Sequence, residues 1–318
     1  MLTYEKLCRR PRHFQTFTGV TPAQFAEILR ALRPIYAKQE MERLRRPKRK
    51  RKGGAGRPFR LSMEDRLLVT LLYFRLYVSY ALLGYLVNLD GTHVGREIRK
   101  RMLPALLQVL PIPMQEELLS GHDEPPALGG GQRIKTLKDL LAAHPDIQEV
   151  WVDATEQPIQ APSEKLAHKQ YYSGKPSEHT VKSQWLTTRQ LILHVSGNVP
   201  GSVSDLTLLA GSGVMNSVPP GVQVALDRGY EGAEGRYPHN KVYKAKRAPR
   251  NHPLTLFEQL YNHVINKTRI LVEHVIGHLK KFRIVAELFR NRRATQGDFL
   301  LAVAGLINFK ALHSLDWA

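Results

Sequence analysis

Glu149-Val150-Trp151-Val152-Asp153-Ala154-Thr155-Glu156 is the stretch on which the fold turns. Its apolar residues leave no solvent face, which is the pattern of a strand covered on both sides in the middle of a sheet, with Asp153 at the strand's end. Val222-Gln223-Val224-Ala225-Leu226-Asp227-Arg228-Gly229 repeats the arrangement, and Gly229 lets the backbone turn after the acid. Strands of one sheet that carry acids at their ends can bring two carboxylates to one shared cation. Ser183–Thr188, Leu191–Ser196 and Lys241–Lys246 are further short apolar or β-branched runs bounded by turn residues, so five strands are expected. Leu206–Ala210 reads as a helix feeding the fourth of them, and a long helix is expected from Leu256 to Phe282.

That long helix carries a third acid, Glu273, among Ile270, Val272, Val275, Ile276 and Leu279. A carboxylate beside a buried face is costly without a partner. A metal ion is one candidate partner; Arg269, one turn earlier, is the other, as an ordinary ion pair. Three gathered carboxylates suit a pair of Mg²⁺ ions, because hard cations take oxygen ligands and phosphate chemistry uses the charge they bring. Glu156 is sent to the opposite face of its strand by alternation. Asp205, in Gly201-Ser202-Val203-Ser204-Asp205, reads first as a helix cap and second as a site residue. His274 and His278 stand one turn apart with no evident third ligand, and no phosphate-binding Gly-rich loop is present, so ATP use is not indicated.

The front of the chain is set apart by charge. The net charge is +19, and residues 1–60 hold 17 Lys and Arg against 4 Asp and Glu. A polyanion is the natural partner, since clustered cations displace counterions from a phosphate backbone. Thr21-Pro22-Ala23-Gln24 reads as a helix start with a capping box, followed by the apolar stripe Phe25, Ile28, Leu29 and Leu32 and closed by Pro34. Arg43–Lys52 then has eight basic residues in ten, before Gly53-Gly54-Ala55-Gly56. Its readings are an arm laid on phosphates through Arg45, Arg46, Lys48, Arg49 and Arg51, or a solvated spacer.

Leu67–Leu89 contains a single charge, Arg75, in 23 residues. Four tyrosines, Ser79 and Gly84 interrupt it, so two buried helices broken near Ser79 fit better than a membrane span. Three helices are expected over 61–110: Met63 to Val78 capped by Ser62, Ser79 to Leu86, and a third from Thr92. The third carries His93, Arg96, Arg99, Lys100 and Arg101, and is either a recognition helix for a major groove or a solvated basic face. Pro111–Gln132, rich in Pro and Gly, reads as a domain boundary, with a short helix at Thr136–Ala143 after it. One cysteine, Cys8, excludes an internal disulfide framework and a Cys-rich zinc site. The first residues lack the apolar core of a signal peptide, so a reducing, cytoplasmic setting is expected.

Several of these stretches are landmarks together. Phe17-Thr18-Gly19-Val20-Thr21, Gly56-Arg57-Pro58 after the basic arm, Leu89-Asp90-Gly91, Val152-Asp153-Ala154-Thr155, Tyr172-Ser173-Gly174-Lys175, His179-Thr180-Val181-Lys182, Asp227-Arg228-Gly229-Tyr230 and Val272-Glu273 make a chain that resembles, over nearly its whole length, the DDE transposases of the bacterial IS5 group, relatives of the Harbinger-type enzymes. It departs from that pattern at Pro176-Ser177-Glu178, where the family loop is more basic, and at Ser204-Asp205, where His-Asp is common. Neither departure touches the three acids.

The resemblance implies an α/β catalytic domain of RNase H-like fold, a mixed five-stranded sheet flanked by helices, preceded by an all-α helix-turn-helix-type DNA-binding domain. The expected division is an N-terminal helix and basic arm over 1–60, the DNA-binding domain over 61–125, a linker over 126–146 and the catalytic domain over 147–314. Asp153, Asp227 and Glu273 would bind two Mg²⁺ ions, with Mn²⁺ as a substitute, and Asp205, Arg228 and Arg269 stand behind them. Lys175, His179, Lys182, Lys244, Lys246, Arg247 and Lys280 join the basic arm and the third helix as expected contacts to double-stranded DNA, both the element's terminal inverted repeats and the target. A homodimer or larger assembly follows from work on two ends, and neither a membrane nor ATP is expected as a partner. The expected activity is Mg²⁺-dependent cleavage and strand transfer in a bacterial, nucleoid-associated enzyme; the alternative is a catalytically silent DNA-binding regulator of the same descent.

Overall fold

The computed structural model describes residues 1–45, 60–111, 141, 145–246, 248 and 252–315, without the side chains of 228, 264, 266–272, 314 and 315. Its contacts separate into two units. The first comprises Met1–Ile112, Lys281–Val285 and Asp298–Ala318, and the second Pro113–Lys280 and Ala286–Gly297.

In the first unit, two short helices, α1 (Tyr4–Cys8) and α2 (Pro11–Thr18), precede α3 (Pro22–Leu44). The capping box at α3 forms as its residues imply: Gln24 N–H donates to Thr21 Oγ1 at 3.2 Å and Thr21 N–H to Gln24 Oε1 at 3.0 Å. Pro34, expected to close this helix, lies inside it. Pro34 is exposed, so the Arg30 carbonyl that loses its N–H partner meets water, while Leu32 and Tyr36 on either side hold the helix to the core. Phe14 meets Phe25 edge to face at 5.3 Å, and Tyr4 stacks on Phe25 at 4.8 Å.

The apolar stretch divides as its breakers imply. Helix α4 (Met63–Leu76) is capped by Ser62 and ends at Tyr77, which takes a left-handed φ of 48°; α5 (Tyr80–Val87) is capped by Ser79. Nine consecutive residues of α4, Arg66–Phe74, are buried, which is why its sequence is apolar all round. Part of its cover is the last helix, Gln296–Leu315, whose Phe299 packs edge to face on Phe74 at 5.5 Å. Among the described residues no helix is long and apolar enough to cross a membrane.

After Asn88 the chain turns into α6 (Gly91–Glu97), which runs through a π-helical turn at Ile98–Met102 into α7 (Leu103–Val109). Pro104 stands in the first turn of α7, where a proline is tolerated in a helix. The α5–α6 corner is tight. A Cβ on Gly84 would meet the Leu89 carbonyl oxygen at 2.5 Å, and one on Gly91 would meet the Ala81 nitrogen at 2.8 Å.

The second unit is built on a mixed sheet of β1 (Glu149–Pro158), β2 (Tyr172–Ser173), β3 (Glu178–Thr187), β4 (Ile192–Val195), β5 (Val199–Pro200), β6 (Gln223–Leu226) and β7 (Lys241–Lys244). All five expected strands are present, with two short additions, β2 and β5. The order is β2-β3-β1-β6-β7, with β4 and β5 on β3. β1 runs antiparallel to β3 and parallel to β6, and β6 is parallel to β7, giving the mixed, helix-flanked sheet of the RNase H-like class. Central β1 carries one core on each face. Val150, Val152, Val224 and Leu226 pack with Leu209, Val214 and Met215 from helices Asp205–Ser212 and Val214–Ser217, whereas Trp151 and Ala225 pack with Ile276 from helix Leu256–Lys280.

Two local readings change. β1 does not end at Asp153 but continues to Pro158, because β3 pairs with it as far as Pro158↔Thr180. Helix Asp205–Ser212 is capped by Ser204, whose Oγ accepts from Thr207 N–H at 3.1 Å, rather than by Asp205. The short helix expected at Thr136–Ala143 lies, apart from buried Leu141, outside the described residues.

Candidate active site

β1 and β6 pair in parallel up to Val152↔Leu226, so Asp153 and Asp227 follow in adjacent places on neighbouring strands, about 5 Å apart. Alternation gives Asp153 the face of Trp151 and Asp227 that of Ala225, the face covered by helix Leu256–Lys280. Both acids are half-buried. Asp153 Oδ1 accepts the N–H of Ala154 at 2.8 Å, and Trp185, 1% exposed, stands directly across from Asp153 on β3.

Asp227 opens a 3₁₀ turn, Arg228–Tyr230, whose last residue drops into the core. Tyr230 is 1% exposed, and its hydroxyl donates to Gln184 Oε1 at 3.3 Å. Burial first, then the charges of Asp153, Asp205 and Asp227, push this phenol well above its ordinary pKa. Three carboxylates therefore act on one buried hydroxyl, which stays protonated.

Glu273 lies on helix Leu256–Lys280, three residues before Ile276, and so on the side of the helix that covers Trp151 and Ala225. It is exposed rather than set against the apolar face as expected. Among the described residues no group of three His, Cys, Asp or Glu stands close enough to hold a metal ion. Strand register thus puts Asp153 and Asp227 side by side, while Glu273 is exposed on the covering helix. The pair fits a hard cation in donor chemistry, since carboxylate oxygens are what Mg²⁺ and Mn²⁺ take.

Sequence reasoning missed the group on the other side of β1. Lys182, expected at DNA, is 7% exposed; it is opposite Glu156 in register and makes ion pairs to Asp205 at 2.9 Å and Glu156 at 3.4 Å. A buried, doubly paired ammonium is not available to a phosphate. The visible signal was the spacing in Glu156 and Lys182, which only strand pairing turns into a contact.

The other expected contacts divide by exposure. On α6 and the turn after it, His93, Arg96 and Lys100 are exposed at positions three and four apart, one face of the helix. Arg99 is half-buried, its guanidinium 5.5 Å from the Tyr80 ring centre and its Nε donating to the Gly95 carbonyl at 3.1 Å. An opening of about 510 Å³ beside this face is lined by Arg60, His93, Arg96 and Arg101 among others. Lys175 is exposed, in the turn between β2 and β3, and His179 is half-buried with its ring 4.1 Å from His168. Lys244 pairs with Glu234 at 3.0 Å, Lys246 with Glu258 at 3.4 Å, and Lys280 is exposed. Arg45 is exposed at the end of α3. Arg46, Lys48, Arg49, Arg51 and Arg247 lie outside the described residues, as do the side chains of Arg228 and Arg269.

Residues 152–308 match the family model of the DDE superfamily endonucleases, and residues 59–111 match that of the helix-turn-helix of DDE superfamily endonucleases. A probable transposase for insertion sequence element IS702 from Microchaete diplosiphon is 30% identical over 278 residues, spanning 82% of this chain and 85% of the relative. Among solved structures, the Mos1 transposase paired-end complex with left transposon end is 7% identical over 88% of this chain and 86% of that one, with a TM-score of 0.23. The Mos1 strand transfer complex is 10% identical over 87% and 81%, with a TM-score of 0.26.

Proposed function

The chain belongs to the DDE transposases of insertion sequences, metal-dependent DNA endonucleases with a helix-turn-helix DNA-binding region, and from that premise we propose that it binds its own element's terminal inverted repeats and catalyses Mg²⁺-dependent strand cleavage and transfer. The observation that carries this reading is the adjacent placement of Asp153 and Asp227 on parallel β1 and β6. Asp153 and Asp227 would hold the metal, and Glu273, exposed on the covering helix, would be the third acid of the set. Divalent ions held there would supply charge to the phosphate and lower the barrier to attack by water or a DNA 3′-OH.

The chain's own part is to hold position and charge, not to form a covalent intermediate. Trp185 and Trp151 cover the floor from which Asp153 projects, so that carboxylate sits on a rigid, dry strand rather than a loop. His93, Arg96 and Lys100 read base edges from the exposed face of α6, with Arg99 held back against Tyr80. Arg45, Arg46, Lys48, Arg49 and Arg51 lie along phosphates, and Lys175, His179, Lys244, Lys246, Arg247 and Lys280 follow the DNA toward the acids. Lys182 is left out of this set because it is buried. Mn²⁺ replaces Mg²⁺, two copies act on two ends, and the work is done in the bacterial cytoplasm, where the element's DNA is.

The test is cleavage of a labelled duplex carrying the element's end, with Mg²⁺ or EDTA, by wild type and Asp227→Ala. Metal-dependent nicking at the end, lost in a variant that still binds, supports the reading. Binding with no cleavage by either protein, with both ends supplied, would favour a silent DNA-binding regulator.

A further inference from the structure

Lys182 occupies a position where an apolar residue would serve stability as well, since a buried ion pair is often no better than two packed hydrophobic side chains. Its ammonium is nevertheless surrounded by oxygens from three places. It donates to the Val203 carbonyl at 2.7 Å and to Asp205 Oδ1 at 2.9 Å, and stands 3.4 Å from Glu156 Oε1. Glu156 in turn accepts the Thr180 hydroxyl at 2.6 Å, so β1 and β3 are tied together three residues beyond Asp153.

Asp205 is not spent on capping its helix, because Ser204 does that. Its first oxygen takes the lysine; its second lies against the turn that follows Asp227. A Cβ built on Gly229 would stand 2.4 Å from Asp205 Oδ2, so only glycine admits this approach, and Gly229 is the second residue after Asp227. The same turn is tied to β3 once more, by the Tyr230 hydroxyl on Gln184, two residues along the strand from Lys182. One cation thus reaches the strand that bears Asp153 through Glu156, and the turn that bears Asp227 through Asp205.

We propose that Lys182 and Asp205 are positioning residues, a buried clamp that sets the Asp227 turn at a fixed distance from Asp153. This rests on the reading of those two acids as the metal-holding pair. Partners behind metal-binding carboxylates commonly contribute about 10- to 100-fold to metal affinity, and a clamp that acts through a two-residue turn falls in that range.

The experiment measures Mn²⁺ binding to the full chain by loss of the free-ion paramagnetic signal, alongside the melting temperature without metal. Asp205→Ala is expected to weaken Mn²⁺ binding at least about 10-fold. Lys182→Met with Asp205→Leu, made together with Glu156→Gln so that no carboxylate is left without its cation, removes the charges and refills the space, so it is expected to melt near wild type yet bind Mn²⁺ as poorly as the single variant. Gly229→Ala is expected to weaken binding in the wild-type background and to add little in Asp205→Ala, because the clash partner is gone. If the combined variant binds Mn²⁺ like wild type, or if affinity in every variant follows melting temperature alone, the pair is structural and the proposal fails. Asp227→Ala separates this from the underlying reading. If it loses Mn²⁺ while the clamp variants do not, only the clamp is wrong; if it keeps Mn²⁺, the acid site is wrong and the clamp falls with it.

Discussion

Glu97→Gln should destabilise the helical unit by about 3 kcal/mol, and the structure gives the reason. Arg66 of α4 is buried, its side chain 6% exposed, and its Nη1 donates to the Tyr36 hydroxyl at 2.7 Å. That hydroxyl donates to Glu97 Oε1 at 2.7 Å, and the same Glu97 oxygen is 3.6 Å from Arg66. At this separation the attraction is about 5 kcal/mol for an effective dielectric of about 20. Loss of one partner in a buried pair costs about 3 to 5 kcal/mol, because the remaining charge is stranded. Two features place the change at the lower end: Glu97 is 14% exposed, and its second oxygen is held at 2.8 Å by Arg101, which can turn to water. Amide exchange of the buried α4 residues Val69–Leu72 reads the loss locally and should speed up by about 100-fold. The triple change Arg66→Met, Tyr36→Phe and Glu97→Met removes the stranded charge, leaving only the Leu61 carbonyl that Arg66 Nε had served, and should return to within about 2 kcal/mol of wild type. A Glu97→Gln effect below about 0.5 kcal/mol, or a triple variant as weak as the single one, would refute the reasoning.

Neutralising Arg45, Arg46, Lys48 and Arg49 together should weaken binding to all duplexes alike and reduce the slope of log K against log salt by about 3 to 4, measured by titration at several salt concentrations; a loss confined to one sequence would contradict phosphate contact. Arg96→Ala should cost about 1 to 3 kcal/mol of preference for the element's end over random duplex, and an unchanged preference would remove α6 as the reader. Tyr4 is pushed up to about 12 by burial and then by Cys8 and Glu64, while Tyr36 and Tyr230 are raised further, in each case by burial first. The folded chain then holds these protons when the unfolded chain, near its ordinary value of 10, releases them. Stability should be full below about pH 10 and fall as pH rises above it. Urea midpoints at pH 8 to 11 check this, and a midpoint that rises with pH would show the sign to be wrong.

Much of the element pattern was legible because local chemistry decides it. Thr21, Ser62 and Ser79 cap helices where they stand, and Ser79 with its neighbours divides the apolar run from Leu67 to Leu89. The apolar runs that end in Asp153 and Asp227 announced central strands, and the family resemblance gathered from scattered landmarks agreed with them. Pro34 misled because a proline's cost depends on whether the carbonyl it orphans faces water, which is a property of packing. The end of β1 misled because strand length is set by the partner strand, and β3 carries the pairing five residues past Asp153.

By itself, then, the sequence determined where the principal helices and the central strands lie, that the chain is a basic DNA-acting member of its family, and which acids are candidates. Tertiary structure alone decided which of those acids stand on neighbouring strands. The parallel register of β1 and β6 makes Asp153 and Asp227 neighbours across a separation of 74 in the chain, and leaves Glu273 exposed on the covering helix. It also turned Lys182 from an expected DNA contact into a buried counter-charge, and drew the last helix to the helical unit rather than the sheet. The physical reason is common to all of these. Capping and periodicity act between residues a few places apart and can be read along the chain, whereas burial, register and ion pairing act through space between residues whose distance only the fold assigns.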